Sequence, residues 1–141
     1  IKEGLVKFFE PENQSLLAIK CQDYFCLLNS IVLCDFVAEC GFTFTGVRNL
    51  FNAMTGWDFS FDDLMETGER SFVVQRLINI RDGFDASTDK LPGKMFKPAK
   101  EGLRAGKVPP FKQLMGDYYR IRDWDESGAP RPEVLDRLGL S

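Results

Sequence analysis

The sequence predicts an all-α, multihelical chain, folded as one domain or two small packed helical subdomains with five or six helices in all. Three observations carry this. Apolar residues recur at three- and four-residue spacing along most of the chain, the period of a helix face turned toward a core. Glycine, proline and helix-capping residues stand between those stretches. A chain of 141 residues that is 44% hydrophobic, with thirteen phenylalanines, can also build a core that hides roughly two thirds of its extended surface.

The first helix is expected from Ser15 to Glu39, with Leu17, Cys21, Tyr24, Phe25, Leu28, Ile31 and Val32 on its apolar stripe. Pro11 and Asn13 precede it, and Gly41 after Cys40 suits a left-handed terminator. A shorter helix from Thr45 to Met54 sets Val47, Leu50, Phe51 and Met54 on one face and ends at Thr55 and Gly56. Ser60 and Asp63 have capping-box spacing, and Asp62, Asp63 and Glu66 place negative charge at the positive end of a third helix running to Arg81. Val73, Val74, Leu77 and Ile80 form its stripe, and Gly83 stops it. Residues 82–108 break every period with glycines and prolines, which predicts a long connection. That connection is basic: Lys90, Lys94, Lys97, Lys100, Arg104 and Lys107 read either as a docking surface for an acidic partner or as a solvated loop. Pro109 and Pro110 precede a helix from Phe111 to Arg122 that carries Leu114, Met115, Tyr118 and Ile121. The last helix, Pro132 to Leu138, opens on proline in its first turn and stops at Gly139.

A formal charge of −3 gives no electrostatic footprint for nucleic acid or an anionic membrane. No uncharged apolar run reaches the roughly 18 residues of a membrane span, and the start lacks the basic region of a signal peptide. Ile1 stands where an initiator methionine would, so the beginning reads as a cut end. Four cysteines at irregular spacing, in a chain large enough to fold without staples, predict reduced thiols and a cytoplasmic setting. The absence of histidine removes Ser-His-Asp and Cys-His nucleophiles, histidine zinc sites and any imidazole base. Catalysis by this segment alone is therefore not expected.

Cys21, Cys26, Cys34 and Cys40 follow a C-x4-C-x7-C-x5-C pattern that matches neither a zinc ribbon nor a ferredoxin signature. On one helix Cys26 and Cys34 would lie about 12 Å apart along the axis and about 80° around it, too far for one cluster. Spacing alone thus reads each cysteine as a small buried hydrophobe. Asp123, Asp125, Ser127 and Gly128 imitate the first half of a calcium loop, but Val134 occupies the position that needs a bidentate carboxylate. Asp62, Asp63 and Glu66 read as solvated partners of a helix dipole, not as an acid/base pair.

Three separated stretches go further: KCQDYFCLLNSIVLCDF, GERSFVVQRLINIRDGFDASTDKLPGKMF and DYYRIRDWDESGAPRPEVLDRLGL. Over some 120 residues their order and wording resemble the C-terminal helical region of the aldehyde:ferredoxin oxidoreductase family, and the ending near Leu140 resembles that of such enzymes. The resemblance implies a tungsten or molybdenum bis-pyranopterin beside a [4Fe-4S] cluster, aldehyde oxidation to a carboxylic acid, and electron delivery to ferredoxin. It also implies that the β-rich N-terminal domain and the C-x2-C-x3-C cluster motif lie outside residues 1–141, so partners would be the other domains of the same enzyme and ferredoxin, with room for a homodimer. The family's D-x-x-G-L-C segment aligns with Asn29 to Cys34 here. By that alignment Cys34 is the fourth cluster ligand, and Leu33, Asp35 and the residue at the leading position, Asn29, approach the pterin. Two residues depart from the pattern. Asn29 keeps hydrogen-bonding capacity but lacks the carboxylate that accepts two pterin N–H donors, and Val32 replaces the glycine with a bulkier side chain. Two other readings remain open: a tungsten subunit that reduces an aromatic thioester, and a helical interaction module with no cofactor.

Overall fold

Helix-forming stretches in this chain are cut off by residues that take the left-handed backbone region. In the computed structural model, which describes residues 11, 13–36, 40–102 and 105–141, five α-helices follow one another: α1 (Gln14–Ser30), α2 (Phe44–Thr55), α3 (Phe61–Arg81), α4 (Phe111–Arg122) and α5 (Pro132–Arg137). A single 3-10 turn, Gly93–Phe96, lies between α3 and α4, and the only extended pairings among the described residues are isolated bridges. All-α architecture is thus the observed one. No helix of the described residues is long and apolar enough to cross a membrane.

The helix stops share one geometry. After α1, α3, α4 and α5 a residue with positive φ (Val32, Gly83, Asp123, Gly139) donates to the carbonyl three residues back, and the next residue donates five back, as in Leu33 N to Leu28 O at 2.9 Å. This pair of bonds satisfies the last carbonyls of the helix. Gly56 ends α2 with one bond to Asn52 O. Starts are equally specific. Thr43 accepts from Gly46 N at 3.2 Å to open α2. Ser60 and Asp63 open α3 with a reciprocal capping box: Asp63 N donates to Ser60 Oγ at 3.2 Å, and Ser60 N to Asp63 Oδ2 at 2.8 Å.

The chain divides into two compact units that interleave in sequence. One comprises Lys20–Ile78 and Pro132–Ser141. Its buried side chains include Leu27, Leu28, Val47, Leu64, Val73 and Leu138. Within it α1 and α3 approach so closely that a Cβ on Gly68 would collide with the Asp23 carbonyl, whose carbon lies 2.8 Å from that position. Ser30 Oγ donates to Cys26 O at 2.7 Å and pairs with Ser71 Oγ at 3.0 Å, fixing the end of α1 to α3. Arg137 grips Glu69 with two bonds, at 2.9 and 2.7 Å, and Arg70 Nε donates to Leu138 O at 2.7 Å, so α5 is tied to α3. The rings of Phe44 and Phe61 lie 3.9 Å apart, joining the starts of α2 and α3.

The other unit takes the described residues up to Ile19 and Asn79–Arg131. Ser15 Oγ donates to Leu114 O at 2.7 Å, holding the start of α1 against α4. Tyr118 and Trp124 are buried with their rings edge to face, and the Arg122 guanidinium stacks 5.7 Å from the Tyr118 ring centre. Asp125 caps the turn that follows, accepting from Ser127 Oγ at 2.7 Å, Ser127 N at 2.8 Å and Ala129 N at 3.0 Å. Those bonds, Ser127 Oγ first, hold its carboxyl below the usual carboxylate range.

Most predicted boundaries stand within a residue or two, and one does not. The first helix was expected to reach Glu39, but α1 stops at Ser30; residues 37–39, like Ile1 and Arg104, lie outside the described residues. The cause is local: Ser30 bonds back to Cys26 O, and Val32 takes φ 58° where helix would need a negative angle. Several stripe residues are also exposed, among them Cys21, Phe25, Leu50, Met54 and Val74. Periodicity marks a face as apolar without saying what covers it.

Candidate functional site

The segment that ends α1 carries all four candidate residues. Asn29 sits in the last turn of the helix, and its carbonyl accepts the Val32 N–H at 3.2 Å. Its side chain is exposed. Leu33 is half-buried and closes the terminating pair of bonds. Cys34 and Asp35 follow in irregular backbone, both exposed, with Cys34 Sγ 3.9 Å from Asp35 Oδ1.

Two expectations are corrected here. Cys34 is not late in an apolar helix; it sits four residues past the helix end. Nor are the cysteines uniformly buried: Cys26 is, while Cys21, Cys34 and Cys40 are exposed, and none of the four is in a disulfide. Cys26 alone behaves as the small hydrophobe expected, and its sulfur accepts from Gln75 Nε2 at 3.6 Å.

Val32 is the unusual residue. Valine at φ 58° presses its branched Cβ against its own backbone, a conformation that costs about 1–2 kcal/mol and that glycine adopts freely. It is also 92% exposed. A strained, exposed, β-branched residue two positions before an exposed thiol marks the turn as shaped for something other than packing.

Beside the turn lies an apolar groove of about 360 Å³, walled by Ile31, Val32 and Leu33 on one side and by Val47, Leu50, Phe51 and Met54 of α2 on the other. The α2 wall went unrecognised in the sequence, where those residues read as an ordinary buried face. Val47 is buried, but Leu50 at 42% and Met54 at 77% exposure leave the rest of that face open. Asn52 fixes the end of α2 by bonding both backbone groups of Phe59, at 3.0 and 3.1 Å.

As a donor set for an iron–sulfur cluster this turn supplies one thiol. Among the described residues no group of three or more histidine, cysteine or acidic side chains is arranged to hold a metal. An accessible thiol that is in no disulfide and has only a long contact to Asp35 fits one corner of a cluster whose other ligands sit on another segment. Asn29, in the last turn of α1, and Leu33 and Asp35, beside the thiol in sequence, contribute an amide, an apolar side chain and a carboxylate to this segment.

Comparison with known proteins places this geometry in context. A family model described as aldehyde ferredoxin oxidoreductase, domains 2 and 3, matches residues 2–140. The tungsten-containing aldehyde ferredoxin oxidoreductases of Pyrococcus furiosus and Thermococcus kodakarensis are 35% and 34% identical to it over 127 residues, covering 89% of this chain and 21% of each relative. An aliphatic sulfonate oxidoreductase, WOR-like subunit, of Pyrococcus furiosus is 31% identical over 121 residues, 79% of this chain and 19% of that protein. The chain spans about a fifth of the length of the curated relatives it matches.

Proposed function

Since this chain belongs to the aldehyde ferredoxin oxidoreductase family, we propose that it forms the C-terminal, cofactor-facing part of a tungsten oxidoreductase, with Cys34 as the single cluster ligand it contributes. One observation carries the reading. The position that aligns with the family's glycine has the left-handed backbone that glycine favours, and two residues later stands an exposed thiol that is in no disulfide. The turn keeps that shape even with valine in place.

In this reading the turn binds and orients. Cys34 supplies one thiolate to a [4Fe-4S] cluster, and Asn29, Leu33 and Asp35 line the approach to a tungsten bis-pyranopterin. The metal centre, when bound, would supply the redox chemistry, the oxidation of an aldehyde and water to a carboxylate and three protons, with ferredoxin as the acceptor of the two electrons. Ordered backbone around Cys34 fixes the sulfur before the cluster arrives, so little conformational freedom is lost on ligation. In this reading the protein works in the cytoplasm.

A second reading keeps the same architecture and changes the substrate, and the WOR-like relative favours it. Assaying the complete enzyme with ferredoxin, against an aldehyde series and an aliphatic sulfonate series, separates the two. Aldehyde turnover together with tungsten, iron and sulfide in the purified protein is the expected result. Turnover of sulfonates only would select the second reading, and an absence of all three elements would reject both.

A further inference from the structure

The connection between α3 and α4 concentrates charge that the rest of the chain lacks. Residues 90–107 hold six basic side chains against one acid, Glu101, a net charge of +5 in a chain whose total is −3. Lys90, Lys94, Lys97, Lys100 and Lys107 are all exposed. None of the ion pairs among the described residues involves Lys90, Lys94, Lys97 or Lys100.

A loop of this composition would ordinarily be a solvated strand of charge. This one is built into its unit. Tyr119 Oη donates to Asp89 Oδ2 at 2.6 Å at its start, and Ala86 N donates to Ser127 O at 2.9 Å just before it. The Phe96 ring meets Phe111 edge to face at 6.0 Å, and Gly106 N closes the far end on Ala99 O at 3.0 Å. Leu91 and Met95 are half-buried while the lysines between and after them stand in solvent. The fold therefore holds the described backbone of the loop in place while Lys90, Lys94, Lys97 and Lys100 form no ion pair, so docking on them would neutralise charge without first ordering those residues.

We infer that this lysine loop is the docking face for an acidic electron-carrier protein, which is ferredoxin in the function proposed above and on which this inference rests. The sign distribution favours a compact acidic protein over a nucleic acid. A net charge of −3 opposes the binding of a long polyanion, whereas a small acidic patch needs only a local charge such as the loop's +5. Steering by five exposed cations speeds encounter and weakens with added salt.

The test uses the complete enzyme and its triple variant Lys94→Glu/Lys97→Glu/Lys100→Glu, with the Lys→Gln triple as a milder form. Ferredoxin binding is measured by calorimetry at low and high ionic strength, and turnover is measured with ferredoxin and with methyl viologen, a small cationic acceptor. The expected result is a loss of ferredoxin affinity of about tenfold or more at low salt, a smaller loss for the glutamine triple, and viologen turnover unchanged in both. Unchanged ferredoxin affinity overturns the inference. So does a DNA duplex that binds the parent enzyme as tightly as ferredoxin does and is lost in the same variant. An enzyme silent with both acceptors but still binding ferredoxin through the loop would reject the proposed reaction and leave the docking face standing.

Discussion

Val32 is where backbone strain is concentrated at the scale of one residue. Its φ of 58° is the angle of a helix-terminating glycine, and a valine there gives up stability to hold it. Val32→Gly should therefore raise the stability of residues 1–141 by about 0.5–1 kcal/mol in urea or thermal unfolding, the relief of strain exceeding the extra entropy of glycine. A loss of stability would show that the valine side chain makes contacts worth more than its strain. Exposure makes a second prediction at this scale. Under native conditions Cys21, Cys34 and Cys40 should alkylate quickly and Cys26 only as the protein opens, which mass spectrometry of a timed labelling series would read. The wording of residues 29–35 is what singles out Cys34 and its neighbours as candidates; cysteine spacing could not, because one ligand of a shared cluster would leave no pattern within its own chain.

Helix ends explain which elements were legible. Gly56, Gly83 and Gly139 announce their stops, and α2, α3 and α5 end beside them. Val32 announces nothing, since a valine resembles the helix stripe before it, and so α1 was expected to run through the very turn that presents Cys34. The capping box of α3 was legible too, and it has a pH signature. The Ser60 hydroxyl, then the Ser60 N–H, hold the Asp63 carboxyl below the usual carboxylate range. The folded state thus binds that proton more weakly than the unfolded chain does. Its stabilisation is complete above the ordinary carboxylate value of about 4 and fades as pH falls through the lower folded value. Ser60→Ala should cost about 1 kcal/mol at neutral pH and remove that part of the acid sensitivity, as seen in unfolding curves taken from pH 7 to pH 2. Between elements, Gly68 is the tightest point. Gly68→Ala should cost about 3 kcal/mol in the same assay, because its methyl would meet the Asp23 backbone and not a side chain able to turn away.

For the whole molecule, the all-α class and the order of helices followed from periodicity, while the groove beside Cys34 did not, because α2 faces it with residues that read equally well as core. The chain matches about a fifth of the length of its relatives and offers one thiol at the site. Residues 1–141 expressed alone should therefore hold no stoichiometric iron or sulfide after anaerobic reconstitution, since a four-iron cluster needs more than one protein thiolate. A cluster retained by this segment would contradict that. The central claim is that Cys34 completes a cluster in the full enzyme, and the most direct measurement is paramagnetic resonance of the reduced enzyme carrying Cys34→Ser, beside Cys21→Ser and Cys26→Ser. The account predicts a lost or altered [4Fe-4S] signal in Cys34→Ser alone, with Cys26→Ser acting only on stability and Cys21→Ser close to neutral. A cluster signal in Cys34→Ser identical to that of the parent enzyme would contradict it.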